Sequence, residues 1–434
     1  MISLSPAPDA LRSRPQGRFA RLPQLAGRSF IPLGLFARLP LAMLTVGALT
    51  LVTSATGSYA IGGTAAGAVG IGSALGAPVF GALADRWGQR PVLLVVAALN
   101  SALVLALIGA AWAAPVAGPF PSTVIAAAFL AGASCPQVGP LARVRWMALT
   151  SRGRGADRGK DLDTAMSYEG TADEVTFVLG PALVGILASM VAPWLPLALA
   201  AVLTLTLVPA FAVHPTHQAV PLSGAASRRN AARAMPGVPG AAGSPRPVRV
   251  PAAVALPVLA MVAMGTFFGS TQTALSSFSA SYATAEIAGL LYAVMGLSSA
   301  AAALSVAYWS RRFTPGTRLL VSAGLMTALA VLLLVPESMT GMVAVLLVLG
   351  LPVGPAMVTI FGIGGLLAPE EKLGTVMTAL ASGIVAGTAL GSALGGQLAQ
   401  AHGHQAAFVV PAAAASALMI SGFVAVVILR RRNG

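Results

Sequence analysis

The sequence predicts an all-α membrane protein: twelve transmembrane helices in two six-helix bundles related by a parallel pseudo-repeat. Three observations carry that expectation. Of 434 residues, 56% are hydrophobic and only 9% charged, with a mean hydropathy of +0.84. A soluble domain carries about 25% charged residues, so this chain cannot cover a water-facing surface and lipid must be its solvent. Second, the chain divides into twelve apolar runs, each near the ~20 residues that cross a bilayer. With the N-terminus inside, all 26 Lys and Arg fall in segments on the inner side, as the positive-inside rule asks. A missed or extra helix would flip every later loop. Third, the halves echo each other. Leu179–Leu187 matches Leu390–Leu398 at six of nine positions, and Val138-Gly139-Pro140 matches Val353-Gly354-Pro355, at a common offset of about 211–215 residues. Such a repeat with a central linker is what a two-bundle transporter needs.

Residues 1–29 are basic, are broken by Pro6, Pro8, Pro15 and Pro23, and lack an apolar h-region. They are expected to form a disordered cytoplasmic tail and not a signal peptide. The N-terminal bundle is residues 30–213. Its helix 1 runs from Phe30 or Leu39 to Gly57, helix 2 from Tyr59 to Leu83, and helix 3 from Pro91 to Ala113. Helix 4 runs from Pro121 to Ala142, helix 5 from Thr164 to Val191, and helix 6 from Pro193 to Val213. Helix 2 is rich in glycine, which lets helix backbones approach closely in lipid. Residues 214–250 hold Pro, Gly, Ser and Arg without apolar periodicity and are expected to be a cytoplasmic linker. The C-terminal bundle, 251–429, places helices 7 to 9 at Pro251–Tyr282, Ile287–Trp309 and Arg318–Val335. Helices 10 to 12 follow at Gly341–Leu367, Lys372–Ala401 and Ala406–Leu429, and 430–434 is a cytoplasmic tail.

Composition excludes several functions. The net charge of +14 is scattered between apolar runs, so nucleic acid is not an expected partner. The single cysteine, Cys135, lies inside an apolar run with no metal-ligand cluster around it. His214 and His217 fall in the linker and His402 and His404 in the last outer loop, so no catalytic constellation forms. No metal, no cofactor and no enzyme activity are expected. A non-transporting sensor would append a soluble domain, and neither tail is long enough to fold. The expected partners are a small-molecule substrate, protons and the lipid bilayer, with the protein acting as a monomer.

One stretch is more specific than the rest. Gly81-Ala82-Leu83-Ala84-Asp85-Arg86-Trp87-Gly88-Gln89-Arg90 is a tight charged turn between helices 2 and 3. Here the chain resembles the major facilitator superfamily, over about Leu39 to Leu429. The family pattern is Gly, three residues, Asp-Arg, one residue, Gly, then two basic residues. Gly81, Asp85, Arg86, Gly88 and Arg90 match it, and Gln89 replaces the first basic residue. The resemblance implies a conformational latch: Asp85 faces the positive N-terminal end of helix 11, near Glu370-Glu371-Lys372, and holds the outward-open state. Between helices 8 and 9, Trp309-Ser310-Arg311-Arg312-Phe313 is a degenerate twin that lacks the acid. Helix 5 carries a second partial resemblance, to the packing motif of drug–proton antiporters. Gly180, Pro181 and Gly185 match, while Thr176 and Val184 replace glycines.

Glu169, Asp173 and Glu174 open helix 5, and Arg143 and Arg145 at the end of helix 4 are their natural partners. Carboxylates at the membrane boundary are costly unless paired or facing a cavity. Three readings stay open for this group: an ion-pair gate, a proton-coupling site at Asp173 or Glu174, or a simply solvated helix start. No other carboxylate lies in mid-membrane, which disfavours a strongly cationic substrate. The resemblance places the substrate cavity between helices 1, 4, 7 and 10, whose candidate polar residues are Thr53, Ser54, Gln137, Thr271, Gln272 and Thr359. That sparse lining suits an amphipathic solute better than a sugar. The expected function is secondary active transport by alternating access, most simply proton-coupled efflux; an uptake facilitator or a symporter for a sugar or metabolite is the alternative. Abundant Arg, Ala and Gly with little Lys resemble a bacterium with a GC-rich genome, which would place the protein in the bacterial inner membrane with both termini cytoplasmic.

Overall fold

A computed structural model of the chain describes residues 17–113, 121–151, 155–221, 249–282, 288–310 and 312–433. Twelve helices in it are long and apolar enough to span a membrane. They are α1 Phe30–Thr56, α2 Ile61–Trp87, α3 Gln89–Ala113, α4 Ser122–Thr150, α5 Arg158–Met190 and α6 Leu195–Val213. The second half supplies α7 Ala252–Tyr282, α8 Ala288–Tyr308, α9 Pro315–Leu334, α10 Met339–Leu367, α11 Glu370–Ala407 and α12 Val409–Arg430. No strand occurs among the described residues. Large apolar side chains such as Met190, Leu290 and Leu297 are exposed on the outside. An apolar exterior of this extent requires lipid.

Twelve spans bring both ends of the described chain to one face, called here the termini face. One core cluster belongs almost wholly to α7–α12. A second, at the termini face of the first bundle, joins Phe30, Trp146 and Phe211 to Ala303, Val306 and Val358 of the other bundle. The bundles therefore meet in apolar packing at that face.

Four departures from the sequence expectation matter for the site. Residues 17–29 are not a disordered tail. Helical turns at Arg18–Arg21 and Leu22–Ala26 bury Leu22 and Ala26. Arg18 Nη1 donates to the Ala307 carbonyl of α8, and its guanidinium stacks on Tyr308, so this segment straps the two bundles. The rest of the expected tail, residues 1–16, lies outside the described residues. Helix 1 is two helices, Phe30–Phe36 and Leu39–Thr56, joined at a turn that carries Arg38. Helix 4 does not stop at Ala142. It runs to Thr150 and is broken at residues 134–137, where Pro136 cannot donate a backbone bond. Polar side chains satisfy carbonyls at the break: Asn100 Nδ2 donates to Ala131 O at 2.7 Å, and Gln137 Nε2 donates to Cys135 O at 3.1 Å. Irregular backbone at membrane depth is tolerated only when buried or cavity-lining. Lastly, the linker does not begin at His214: Pro215–Ala219 is a 3-10 turn tucked under α4. Residues 222–248 of the expected linker lie outside the described residues.

Candidate functional site

Helix α2 delivers Asp85 to the start of α11. Its Oδ1 accepts from the Gly374 backbone N–H at 2.8 Å. Its Oδ2 accepts from the Thr375 N–H at 2.7 Å and the Thr375 hydroxyl at 2.6 Å. The first amides of a helix lack intrahelical acceptors, so a carboxylate from the other bundle caps α11 and meets its positive dipole end. The contact needs both glycines. A Cβ at Gly81 would meet Thr378 Oγ1 at 2.1 Å and Gly374 O at 2.6 Å, and one at Gly374 would meet Asp85 Oδ1 at 2.5 Å. Gly88 adopts a φ of 93° at the helix end. Arg86 and Arg90 are exposed.

Gln89, the residue that departs from the family pattern, is buried against Arg145. Arg145 Nε donates to Gln89 Oε1 at 2.8 Å, and Gln89 Nε2 donates to Leu141 O at 3.3 Å. Arg145 also donates to Phe211 O at 2.7 Å and Thr216 Oγ1 at 3.0 Å, and stacks on Phe211. Arg145 is thus not a partner of the α5 carboxylates, because its side chain leaves α4 toward α3 and α6. A basic residue at 89 would have faced this buried cation. Half-buried His214 packs nearby; burial, then Arg145 and His217, hold it below the usual histidine range.

The α5 acids divide into two environments. Arg38 Nη2 donates to Glu169 Oε2 at 2.7 Å and Arg38 Nη1 to Asp173 Oδ1 at 2.7 Å. Arg143 Nη2 donates to Asp173 Oδ2 at 2.6 Å, and Trp146 Nε1 to Glu169 Oε1 at 2.8 Å. Two cations and two anions therefore neutralise one another inside the first bundle. Arg143 also stacks on Phe361 of α10, 3.8 Å from the ring centroid. Glu174 points the other way. It accepts from Ser299 Oγ of α8 at 2.9 Å, across the bundle interface, and no ion pair forms on it among the described residues. Next to it, Thr171 donates to Ala300 O at 3.1 Å.

A cavity of about 50 Å³ opens between the bundles above this cluster, lined by Arg38, Gln137, Arg143, Asp173, Phe361 and Ser382 among others. Of the six expected cavity residues, Gln137 alone borders it. Thr359 is buried and borders a larger opening of about 700 Å³ at the termini face. The hydroxyls of Thr53 and Thr271 are buried without partners. Ser54 and Gln272 are exposed. In the helix 5 motif, Gly180 packs on Ala42 of α1, whereas a Cβ at Gly185 would meet nothing within 4 Å. Pro181 sits inside an unbroken helix. The motif therefore works within one bundle and not between the two.

Sequence reasoning missed Arg38, Trp146 and Ser299. Arg38 carried a signal: it interrupts an apolar stretch that starts at Phe30, and a cation inside a span needs a partner. The other two carried none beyond their type.

No curated protein is similar to the chain in sequence. Solved structures are similar in fold. The human organic anion transporter MFSD10 (TETRAN) aligns with a TM-score of 0.65 and 18% identity, over 94% of this chain and 100% of that one. A bacterial homologue of the iron transporter ferroportin, in its outward-facing state, aligns at 0.67 and 14%, over 94% and 99%. FucP in the outward conformation aligns at 0.58 and 15%, over 92% and 99%. The sequence itself matches the Major Facilitator Superfamily over residues 31–381 and again over 257–434. With most of its length matched and the twelve-helix, two-bundle architecture in place, the chain belongs to the Major Facilitator Superfamily of transporters.

Proposed function

We propose that this protein is a secondary active transporter that exports a small amphipathic organic solute by alternating access, coupled to protons. The termini face is cytoplasmic by the positive-inside distribution of Lys and Arg, and the membrane is a bacterial inner membrane. Asp85 latches the cytoplasmic side shut in the conformation described. Glu174 carries the coupling proton. The observation that supports this most is the contrast between adjacent residues: Asp173 is held by two arginines, while Glu174 accepts from Ser299 of the opposite bundle. A buried carboxylate without a counter-ion is costly as an anion, so it favours closure when it carries a proton. Opening hydrates it and releases the proton. The ion-paired acids Glu169 and Asp173, with Arg38 and Arg143, serve as the rigid base of the cavity. The partial helix 5 motif, Gly180, Pro181 and Gly185, favours export over uptake.

The test is reconstitution of the wild type and Glu174→Gln in vesicles loaded with a pH-sensitive dye. Amphipathic solutes are added with and without a pH gradient. Solute-evoked proton movement is expected from the wild type alone, with solute exchange surviving in the variant. Undiminished proton movement in Glu174→Gln would remove Glu174 from the mechanism.

A further inference from the structure

The charged base of the cavity has one donor left over. Arg143 is 1% exposed, and its Nη2 is spent on Asp173 Oδ2. Its Nη1 is buried with no hydrogen-bond partner among the described residues. Both oxygens of Asp173 already accept a short charge-assisted bond, from Arg38 and from Arg143. The capacity that remains at this spot is therefore a cationic N–H, which seeks an acceptor. Residue 139 is a glycine, so the α4 backbone lies close beside that donor with no side chain of its own between them. A Cβ there would lie 3.3 Å from Asp173 Oδ1, 3.6 Å from Arg143 Nη1 and 3.7 Å from Arg38 Nη1. The break in α4 at residues 134–137 places that glycine at the start of its second half. Around the polar base the lining is apolar: Leu41, Phe177, Phe361, Ile384 and Val385. Phe361 covers one face of the Arg143 guanidinium and fixes its plane.

We propose that the transported solute is an organic monoanion, whose carboxylate binds Arg143 Nη1 beside Gly139 while its apolar body lies against Phe177, Phe361 and Val385. This deepens the transport reading and rests on it. A cation finds no free acidic group here, since Asp173 is doubly paired. A neutral amide can offer one carbonyl oxygen but not the charge that a guanidinium selects.

The experiment uses the full-length protein in lipid nanodiscs and measures equilibrium binding by calorimetry. The probes are benzoate and hexanoate, their neutral amides, and benzylamine. The acids are expected to bind about tenfold or more tighter than the amides, the span of one charge-assisted bond, with benzylamine weakest. Arg143→Gln should bring the acids down to the level of the amides. Arg143→Lys should fall between, because an ammonium is a point charge without the planar fork. Should Arg143→Gln fail to fold, Gly139→Ala decides: it keeps every charge, crowds Arg143 Nη1 and Asp173 Oδ1, and should weaken acids more than amides. Equal binding of acids and amides, no binding of either acid, or acid binding untouched by both substitutions would overturn the assignment and leave a water on Nη1. Vesicle flux of benzoate is scored separately: binding without flux supports the site while defeating the transport reading.

Discussion

Replacing Asp85 with Asn should open the termini face. The magnitude follows from three hydrogen bonds. Asp85 accepts from two backbone amides and one hydroxyl at the start of α11. An amide side chain keeps one oxygen, so one of the carboxylate oxygens becomes an NH₂ that faces a donor. A bond to a charged group contributes about 1.5–3 kcal/mol, and a charge at a helix terminus about 0.3–1 kcal/mol, rising to ~2 when partly buried. Losing one such bond and the charge shifts the closed state by about 2–4 kcal/mol, or roughly 30- to 1000-fold in population. The assay is double electron–electron resonance between spin labels at Ser151 and Arg312, exposed positions in opposite bundles, in a background with Cys135 replaced by Ala. The distance distribution should gain a longer component, and turnover should fall with little change in solute affinity. An unchanged distribution, or a defect in affinity alone, would refute the latch.

Two further substitutions test the buried charges. Arg38→Met strips a guanidinium from both Glu169 and Asp173, each within 2.7 Å. Breaking a buried ion pair on one side costs about 3–5 kcal/mol, so the melting temperature of the purified protein should drop sharply; a shift within the scatter of surface variants would mean the cluster is solvated. Gln89→Lys puts a second cation near Arg145, where like charges ~4 Å apart repel by about 4 kcal/mol at an effective dielectric of 20. Gln89→Glu supplies the counter-ion that Arg145 lacks among the described residues, so thermal stability should rank Glu at or above Gln, and Gln above Lys. The reverse order would show that Arg145 is paired elsewhere.

The fold was legible because the twelve spans are written in composition and spacing, which lipid forces on any sequence. The site was legible only in part. Asp85 and Gly81 could be read from a loop pattern, yet their partners Gly374, Thr375 and Thr378 lie nearly 290 residues away in α11 and carry no local mark. Arg143 and Arg145 are two residues apart on one helix, so their side chains leave it some 200° apart. Pairing both with α5 ignored that geometry, and the structure sends them to different neighbours. Arg38 was counted as a loop charge because a turn at residues 37–38 splits helix 1, and a charge at such a junction satisfies a topology count equally well from loop or membrane. The α4 break hid behind a single proline in a run that stays apolar throughout.

These placements bear on how the two bundles separate. Between them the described hydrogen bonds run from the termini face, with Arg18 to Ala307 and the Asp85 cap on α11, to mid-span, with Thr171 to Ala300 and Ser299 to Glu174. Lipid tails are as apolar as the side chains that meet there, so helix association in the membrane rests on close packing and polar bonds more than on hydrophobic drive. Swinging a two-state equilibrium from 1:99 to 99:1 takes about 5.5 kcal/mol. A single hydrogen bond contributes about 0.5–1.5 kcal/mol, or 1.5–3 when one partner is charged. No tie alone can close or release the face, and the two that involve carboxylates dominate. They differ in what would release them: Asp85 gives way when water replaces it at the α11 amides, whereas on the proposed mechanism Glu174 changes its bond to Ser299 with its proton. On the proposed mechanism, conformational change driven by a proton requires the Asp85 cap to be near its breaking point when Glu174 loses its proton. A strengthened cap would arrest the protein regardless of the proton gradient, and a lost cap would uncouple it.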